Sequence, residues 1–140
     1  MPSRALVVDA NILVRAVLGK RVRDVIVANA GNVSFFVPET AFAEAEEHAA
    51  ALAAKRGGDP QIALAFLRSL SGLIELIGCE VYEPFEAEAR ERLATRDPDD
   101  WPVLASALAL GCPIWTEDTD FFGCGVATWT TDRVQMFLRE

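Results

Sequence analysis

The sequence predicts an α/β domain with a largely parallel central sheet. Short apolar runs of strand length alternate with longer segments of helical periodicity, and this alternation is typical of α/β proteins. The first run, residues 5–8, is continuously apolar, which favours a strand buried on both faces. Glycine and proline residues fall between the segments, where turns are expected.

The size and composition fit one compact domain. The chain has 140 residues, of which 51% are hydrophobic, and we predict a single domain over residues 1–140. The first apolar run is too short for the core of a signal peptide, and no run approaches the ~20 residues that a membrane span needs. We therefore expect a soluble, cytoplasmic protein.

The first half of the chain divides into six predicted elements. Asn11 can cap the first helix, which Gly19 closes, and Pro38 with Thr40 opens a long helix rich in Ala and Glu. The predicted elements are a strand at residues 5–8, helices that include residues 12–17 and 22–28, a strand at 33–37, a helix at about 40–55, and a helix that includes 62–67.

The second half continues the alternation. Asp100 is predicted as the N-cap of a helix with Pro102 in its first turn, where a missing N–H costs little. The predicted elements are a strand at 73–77 with a continuation to 81–82 left open, a helix near 84–95, a polar loop at 96–100, a helix to Gly111, a strand at 113–116, an acidic turn at 117–120, a strand at 126–129 and a helix at 133–138.

Four acidic residues are expected at one edge of the sheet. Asp9 ends the first strand, and Asp118 lies just past the strand that ends at Thr116. Asp100 begins a helix, and Glu44 lies about one turn into the helix after the second strand. Sites in open parallel sheets form beyond the carboxyl ends of the strands, where helices start, so these four side chains are predicted to meet.

Each acid alone has an ordinary structural explanation, whereas their combination points to a metal. Acidic residues often cap helices, and Glu44, Glu46 and Glu47 are also consistent with a solvated helix face. Several carboxylates in one place repel each other and raise each other's pKa unless a cation lies among them. A hard divalent cation with oxygen ligands fits this need, and Mg²⁺ retains waters that can act as nucleophiles.

Other catalytic chemistries lack their residues. His48 is the only histidine, which excludes a two-histidine ribonuclease mechanism, a His-ligated zinc site and a Ser-His-Asp triad. No phosphate-binding loop of the G-x-x-x-x-G-K-[ST] or G-x-G-x-x-G type is present. Cys79, Cys112 and Cys124 have neither zinc-site nor paired spacing, and we expect buried, reduced thiols.

The net charge of −8 is unusual for a protein that binds nucleic acid. A bound metal would neutralise several of the acids. The bases also cluster locally, in two groups that are equally consistent with solvated helix faces: Lys20, Arg21 and Arg23, then Arg90, Arg92 and Arg96.

Four motifs together resemble the PIN-domain family, particularly toxins of the VapC type. They occur in the family's order and cover nearly the whole chain. The motifs are Val7-Val8-Asp9-Ala10-Asn11, then Val37-Pro38 leading to Ala43-Glu44, then Asp99-Asp100 ahead of Val103-Leu104-Ala105-Ser106-Ala107, and finally Trp115-Thr116-Glu117-Asp118-Thr119-Asp120-Phe121.

This resemblance implies a three-layer α/β/α domain that hydrolyses RNA. It implies that Asp9, Glu44, Asp100 and Asp118 are the catalytic, metal-binding acids, with Mg²⁺ or Mn²⁺ as the ion. Further implied roles are an accessory acid at Asp120, orientation of the acids by Asn11 and Thr116, inhibition by an antitoxin protein, and a homodimer.

Two other functions and several assignments stay open. The acidic balance also fits a PIN-like interaction module with little activity. An Asp after the first strand suits a haloacid-dehalogenase-like phosphatase, but that chemistry uses Asp-x-Asp and residue 11 is Asn. Asp99 competes with Asp100, Glu47 competes with Glu44, and the number of ions is open. Two apolar faces are candidates for either a dimer seam or the core: Leu64, Phe66 and Leu67, and Val134, Phe137 and Leu138.

Overall fold

The predicted alternation of strands and helices is confirmed in a computed structural model that describes residues 4–139. Within this range, five strands form one sheet and eight α-helices surround it. The strands are β1 Arg4–Val8, β2 Val33–Pro38, β3 Ile74–Ile77, β4 Ile114–Trp115 and β5 Thr128–Trp129. The helices are α1 Ala10–Leu18, α2 Arg21–Asn29, α3 Glu39–Lys55, α4 Pro60–Ser69, α5 Cys79–Tyr82, α6 Glu86–Arg92, α7 Trp101–Leu110 and α8 Val134–Arg139.

The sheet is parallel at every pairing, with strand order β3-β2-β1-β4-β5. The connections from β1 to β2 and from β2 to β3 step in one direction across the sheet, whereas the connection from β3 to β4 returns in the other. Because such crossovers are right-handed, α1–α4 cover one face and α5–α7 cover the other. The predicted three-layer α/β/α architecture is therefore confirmed.

The central strand is buried because helices cover both faces of the sheet. Leu6, Val7 and Val8 of β1 are fully buried. On either side of β1, the rings of Phe35 in β2 and Trp115 in β4 approach to 6.2 Å between centroids. The Nε1–H of Trp115 donates to Thr131 Oγ1 at 3.1 Å, so this buried indole has a hydrogen-bond partner.

One predicted helix cap is wrong, and the strand continuation that the sequence left open does not occur. Asn11 does not cap α1: Asp9 is the extended residue before the helix, and its Oδ1 accepts the N–H of Ala10 at 2.7 Å. The strand does not continue to residues 81–82, because Gly78 ends it and α5 begins at Cys79. Tyr82, which closes this short helix, is buried.

Two other elements are shorter than predicted. The helix expected near 84–95 is α6 preceded by a 3₁₀ turn, Glu83–Phe85, because Pro84 has no N–H for a regular helical bond. The strand expected at 126–129 is reduced to Thr128 and Trp129, which lie in register with Ile114 and Trp115 of β4.

The candidate seam residues mostly serve the core of the chain itself. Leu67, Val134 and Leu138 are buried in the core. The ring of Phe137 stacks on Trp129 with 5.9 Å between centroids. The guanidinium carbon of Arg23 lies 5.4 Å from the centroid of the Phe66 ring.

The three cysteines are free thiols, but only two of them are buried. Cys112 and Cys124 are buried as predicted, whereas Cys79 is exposed, because it opens α5 at the protein surface. Burial raises the pKa of the Cys112 thiol to about 11, so this group stays protonated at neutral pH. Among residues 4–139, no helix has the length and apolar character needed to cross a bilayer.

The backbone conformation of Gly111, at the end of α7, can be tested by substitution. It caps this helix in the left-handed conformation, at φ 64°, and its N–H bonds the carbonyl of Ala107. A Cβ here meets no atom within 4 Å, so Gly111→Ala adds conformational strain alone and is expected to lower the free energy of unfolding by about 1 kcal/mol.

The matched control is Gly31→Ala, which also adds a Cβ to open space but does not lie in the left-handed region. Its free energy of unfolding in urea is expected to be unchanged or slightly higher. Equal destabilisation by both substitutions would contradict the assignment of strain to Gly111.

Candidate metal centre

The candidate centre lies where the strand order reverses, between β1 and β4. Parallel neighbours in this position carry connections to opposite faces of the sheet, which leaves a crevice at their carboxyl ends. The N–H of Asp9 donates to the carbonyl of Trp115 at 3.1 Å, so the two strand ends are hydrogen-bonded as far as the first acid. Asp9 and Thr116 therefore leave the sheet side by side.

The Asp9 carboxylate is buried and receives three hydrogen bonds. Asp9 is only 6% exposed. Oδ1 accepts from the Ala10 N–H at 2.7 Å, and Oδ2 accepts from Asn11 Nδ2 at 2.9 Å and from Thr116 Oγ1 at 2.7 Å. Burial nevertheless raises the pKa of Asp9 to about 6, with Asp118 and Glu44 adding like charge against the lowering effect of the hydrogen bonds.

Thr116 connects two of the acids. Its hydroxyl donates to Asp9 and accepts the backbone N–H of Asp118 at 2.9 Å. The side-chain carbonyl of Asn11 accepts the Glu117 N–H at 3.3 Å, which joins α1 to the same loop. These contacts are the orienting arrangement that the resemblance implied for Asn11 and Thr116.

Asp118 and Asp120 lie on a 3₁₀ turn, Thr119–Phe121. Oδ1 of Asp118 caps this turn by accepting the Asp120 N–H at 2.9 Å. Two arginines from the opposite layer bind carbonyls in or just beyond it: Arg96 donates to Thr119 at 2.9 Å and Arg92 donates to Cys124 at 3.0 Å. The turn that carries both acids is thus held from two sides.

Asp100 enters from a different layer and is the N-cap residue of α7, as predicted. It precedes α7 at the end of the 3₁₀ turn Pro98–Asp100, but its side chain accepts no capping bond from the helix. Burial, followed by the charges of Asp9, Asp97, Asp118 and Glu44, raises the pKa of Asp100 to about 7. Helix capping therefore does not account for this carboxylate.

Aromatic packing fixes the position of Asp100. The ring of Trp101, the next residue, lies 5.6 Å from the ring of Tyr82, and the guanidinium carbon of Arg90 lies 5.2 Å from the Trp101 centroid. The start of α7 is consequently anchored on α5 and α6.

Three of the four predicted acids line one small pocket. Asp9, Glu44 and Asp100 surround a space of about 80 Å³, together with Asp99 and Thr40. Asp118 does not line this pocket, but its charge acts on both Asp9 and Asp100. The structure thus brings Asp9, Glu44 and Asp100 together and places Asp118 beside them.

A second acidic grouping includes a residue that sequence reasoning missed. Carboxylate oxygens of Asp97, Asp100 and Asp120 all lie within 4.8 Å of one another. Asp97 also accepts the Asp99 N–H at 3.1 Å, which starts the turn at Pro98–Asp100. The Asp-Pro pair signalled a turn, but only the folded loop shows that Asp97 reaches Asp120.

The rival acids are placed differently from the predicted ones. Asp99 is exposed and lines the pocket, but it is not part of the grouping within 4.8 Å. Glu47 is exposed and does not line the pocket, and Glu46 pairs with Arg68 of α4 at 3.0 Å. The geometry favours Glu44 over its neighbours and favours Asp100 over Asp99.

The donor set fits a hard divalent cation. All the charged side chains that line the pocket are carboxylates, which are ligands preferred by Mg²⁺ and Mn²⁺, and two of them have raised pKa values. The pocket of about 80 Å³ is far smaller than the ~300–1,000 Å³ of sites that enclose organic ligands. It has room for an ion and a few waters.

Comparisons with known proteins identify the family and the fold. The family model of the PIN domain matches residues 7–139. VapBC2 of Rickettsia felis, bound to a promoter DNA fragment, has a TM-score of 0.70 and 14% identity over 90% of this chain and 98% of that one. A protein of Pyrobaculum aerophilum has a TM-score of 0.70 and 17% identity over 97% of this chain and 90% of that one. FitAcB of Neisseria gonorrhoeae has a TM-score of 0.64 and 18% identity over 90% of this chain and 97% of that one. No curated protein sequence matches the chain.

The raised pKa values predict how the stability of the metal-free protein depends on pH. Between about pH 4 and 7, the folded state binds more protons at Asp9 and Asp100 than the unfolded chain, whose Asp pKa is near 3.9. The free energy of unfolding should therefore fall as pH rises from 5.5 to 7.5 in EDTA, because folding then confines ionised carboxylates.

Asp100→Asn removes one repelling charge and tests whether the confined carboxylates cause this dependence of stability on pH. The variant is expected to be more stable than the parent at pH 7.5, by about 1–2 kcal/mol, and to show a flatter pH profile in urea unfolding. Glu47→Gln, which removes an exposed charge outside the pocket, is the control and should follow the parent. The explanation would be contradicted if the free energy of unfolding of the parent fell with pH no more steeply than that of Asp100→Asn.

Proposed function

The chain belongs to the PIN-domain family, and from this premise we propose that it is a metal-dependent endoribonuclease of the VapC toxin type. PIN domains are typically nucleases. The observation that carries the proposal is the convergence of Asp9, Glu44 and Asp100 on one pocket, with Asp118 adjacent, from four separate segments of the chain.

The residues divide into holding and positioning roles. Asp9, Asp100 and Asp118 would hold one or two Mg²⁺ or Mn²⁺ ions, and Glu44 would ligate a second ion or orient a water. When bound, a divalent ion supplies charge neutralisation for a phosphate and lowers the pKa of a water. Asn11 and Thr116 keep the Asp9 carboxylate in place through hydrogen bonds of 2.9 and 2.7 Å.

Asp97 and Asp120 support the possibility of a second ion. Their carboxylates share the neighbourhood of Asp100 within 4.8 Å, on the side of the loop Thr119–Phe121. Asp100 would then lie between two groups of ligands. Asp120 would then have the accessory role that the resemblance implied, and Asp97 would have the same role.

The substrate would bind at the mouth of the pocket, since the space inside does not admit a nucleotide. In-line attack of water on a phosphodiester there would leave a 5′-phosphate and a 3′-hydroxyl. We also propose an antitoxin protein as partner, a homodimer and a cytoplasmic location. The first of these is supported by the fold shared with VapBC2 of Rickettsia felis.

Asp9→Asn tests the proposed activity with little change in shape. We expect cleavage of a single-stranded RNA in Mg²⁺ or Mn²⁺ to fall at least about 100-fold, because a ligand charge is lost at the most buried position. Circular dichroism should show an intact fold. Undiminished cleavage by Asp9→Asn would exclude the site, and absence of divalent-ion binding by the parent in calorimetry would favour an interaction module.

A second pair of variants distinguishes the adjacent acids. Asp100→Asn is expected to lose cleavage and ion affinity as Asp9→Asn does, whereas Asp99→Asn should retain most of both, because only Asp100 belongs to the grouping within 4.8 Å. Cleavage assays and calorimetry with Mn²⁺ make the comparison. The reverse order of effects would assign the site to Asp99.

A further inference from the structure

A groove of about 920 Å³ opens next to the candidate metal centre. It runs between α1, the start of α2 and α3, and its lining includes Asn11 and Glu117. Asn11 also donates to the Asp9 carboxylate, at 2.9 Å, and its side-chain carbonyl accepts the Glu117 N–H. Asn11 therefore contacts both the groove and the metal centre.

Basic side chains line this groove in a chain that is acidic as a whole. Arg15, Lys20, Arg21 and Arg56 are four of the 13 Lys and Arg residues, and they line the groove with His48. Arg21 pairs with Asp132 at 2.9 Å. Among residues 4–139, no salt bridge engages the other three, so their charges are available to a ligand.

The two acidic residues of the groove lining each have a partner within the protein. Asp132 is the partner of Arg21, and Oε2 of Glu117 accepts the Thr131 N–H at 2.6 Å. Glu117 keeps its negative charge, but four bases against two acids leave the groove lining with an excess of positive charge, although the net charge of the protein is −8.

The apolar part of the groove lining is aliphatic. Val14, Leu18, Val22 and Leu52 contribute to it, and none of the described lining residues is Phe, Tyr or Trp. Stacking of bases on aromatic rings, which many single-strand binders use, is thus not available here. A nucleic acid in this groove would be held mainly through its phosphates.

Helix α3 links the groove to the acidic pocket along one row of side chains. Glu44 lines the pocket, and His48, Leu52 and Arg56 line the groove at successive intervals of four residues. Side chains at this spacing adjoin one another, and the row that they form winds by about 40° around the helix at each step. Twelve residues separate Glu44 from Arg56, which corresponds to about 18 Å along the helix axis.

We propose that this groove binds the phosphate backbone of the RNA strand on one side of the scissile bond, with Arg15, Lys20 and Arg56 as phosphate ligands. The inference rests on the proposed function and extends it to a named binding surface. A length of about 18 Å spans roughly five nucleotides at the 3.4 Å spacing of a stacked strand. The strand passes Asn11 to reach the metal centre.

An acidic peptide is the other polyanion that such a groove would attract. The nucleic acid is favoured because the groove adjoins the acidic pocket, since Glu44 lines the pocket and His48, one turn further along α3, lines the groove. A chain of phosphates can extend from one to the other, whereas a peptide bound in the groove has no chemical need for the neighbouring pocket.

The test measures binding of a 5′-fluorescein ten-nucleotide single-stranded RNA in the Asp9→Asn background, where cleavage is not expected. Arg15→Ala, Lys20→Ala and Arg56→Ala are combined in one variant, and anisotropy gives Kd between 50 and 300 mM NaCl. We expect at least about 30-fold weaker binding at 100 mM NaCl. The slope of log K against log salt should fall by about 2, because each phosphate contact to a single strand contributes about 0.7.

The matched control combines Lys55→Ala, Arg133→Ala and Arg139→Ala. It removes the same charge from exposed positions outside the groove lining, and it should change Kd less than about threefold with little change of slope. Arg56→Glu, a single change at the far end of the groove, should weaken the ten-nucleotide RNA but not a three-nucleotide RNA.

Equal weakening by the groove variant and the control variant would overturn the proposal, since only the overall charge would then matter. RNA binding that is unchanged in the groove variant, combined with lost binding of a decaglutamate peptide, would assign the groove to an acidic protein segment instead. Cleavage by the parent in Mn²⁺ is measured separately. If the parent cleaves RNA but binding does not depend on the groove residues, this inference alone is refuted. If binding depends on the groove residues but the parent does not cleave RNA, the proposed function is refuted.

Discussion

One hydrogen bond, from the hydroxyl of Thr116 to the carboxylate of Asp9, holds the candidate centre together. It exists because β1 and β4 are neighbours in the sheet although their sequences lie more than 100 residues apart. The same hydroxyl accepts the N–H of Asp118, so the position of the second acid follows from that of the first. A strand order without this adjacency would separate the two acids, and the remaining carboxylates would have no common focus.

The electrostatic state of the centre reflects opposing effects of the fold. Burial makes ionised Asp9 and Asp100 unfavourable, and the hydrogen bonds to Asp9 compensate for this only in part. Asp100 receives no capping bond from its own helix, so its charge is balanced by little in the protein itself. The chain maintains this unfavourable arrangement with substantial packing around it, including Trp101 between Tyr82 and Arg90. Carboxylates that repel one another and are nevertheless fixed by packing are typical of a site that binds a cation.

The sequence predicted those parts of the centre that depend on strand ends. Asp9 and Asp118 follow apolar runs, and a parallel sheet brings such positions to one edge, so their proximity could be expected before the structure was seen. Asp97 could not be found this way, because its approach to Asp120 depends on how two irregular turns meet. The wrong cap at Asn11 has a similar cause, since the strand and helix join at Asp9, two residues earlier than predicted. The basic groove was equally hidden, because Arg15 and Arg56 converge only when α1 packs against α3.

A row of side chains that winds gradually around α3 begins with an acid, Glu44, and ends with a base, Arg56, at the C-cap, and this constrains the length of the helix. Each residue of an α-helix advances the direction of the side chain by about 100°. Inserting or deleting one residue between Glu44 and Arg56 would therefore swing the C-terminal part of the helix away from the groove, even though no side chain that lines it had changed. Homologous chains that keep this row are expected to preserve the spacing more strictly than the identity of the intervening residues. Length variation is expected instead at the exposed turn that follows, around Gly57 and Gly58.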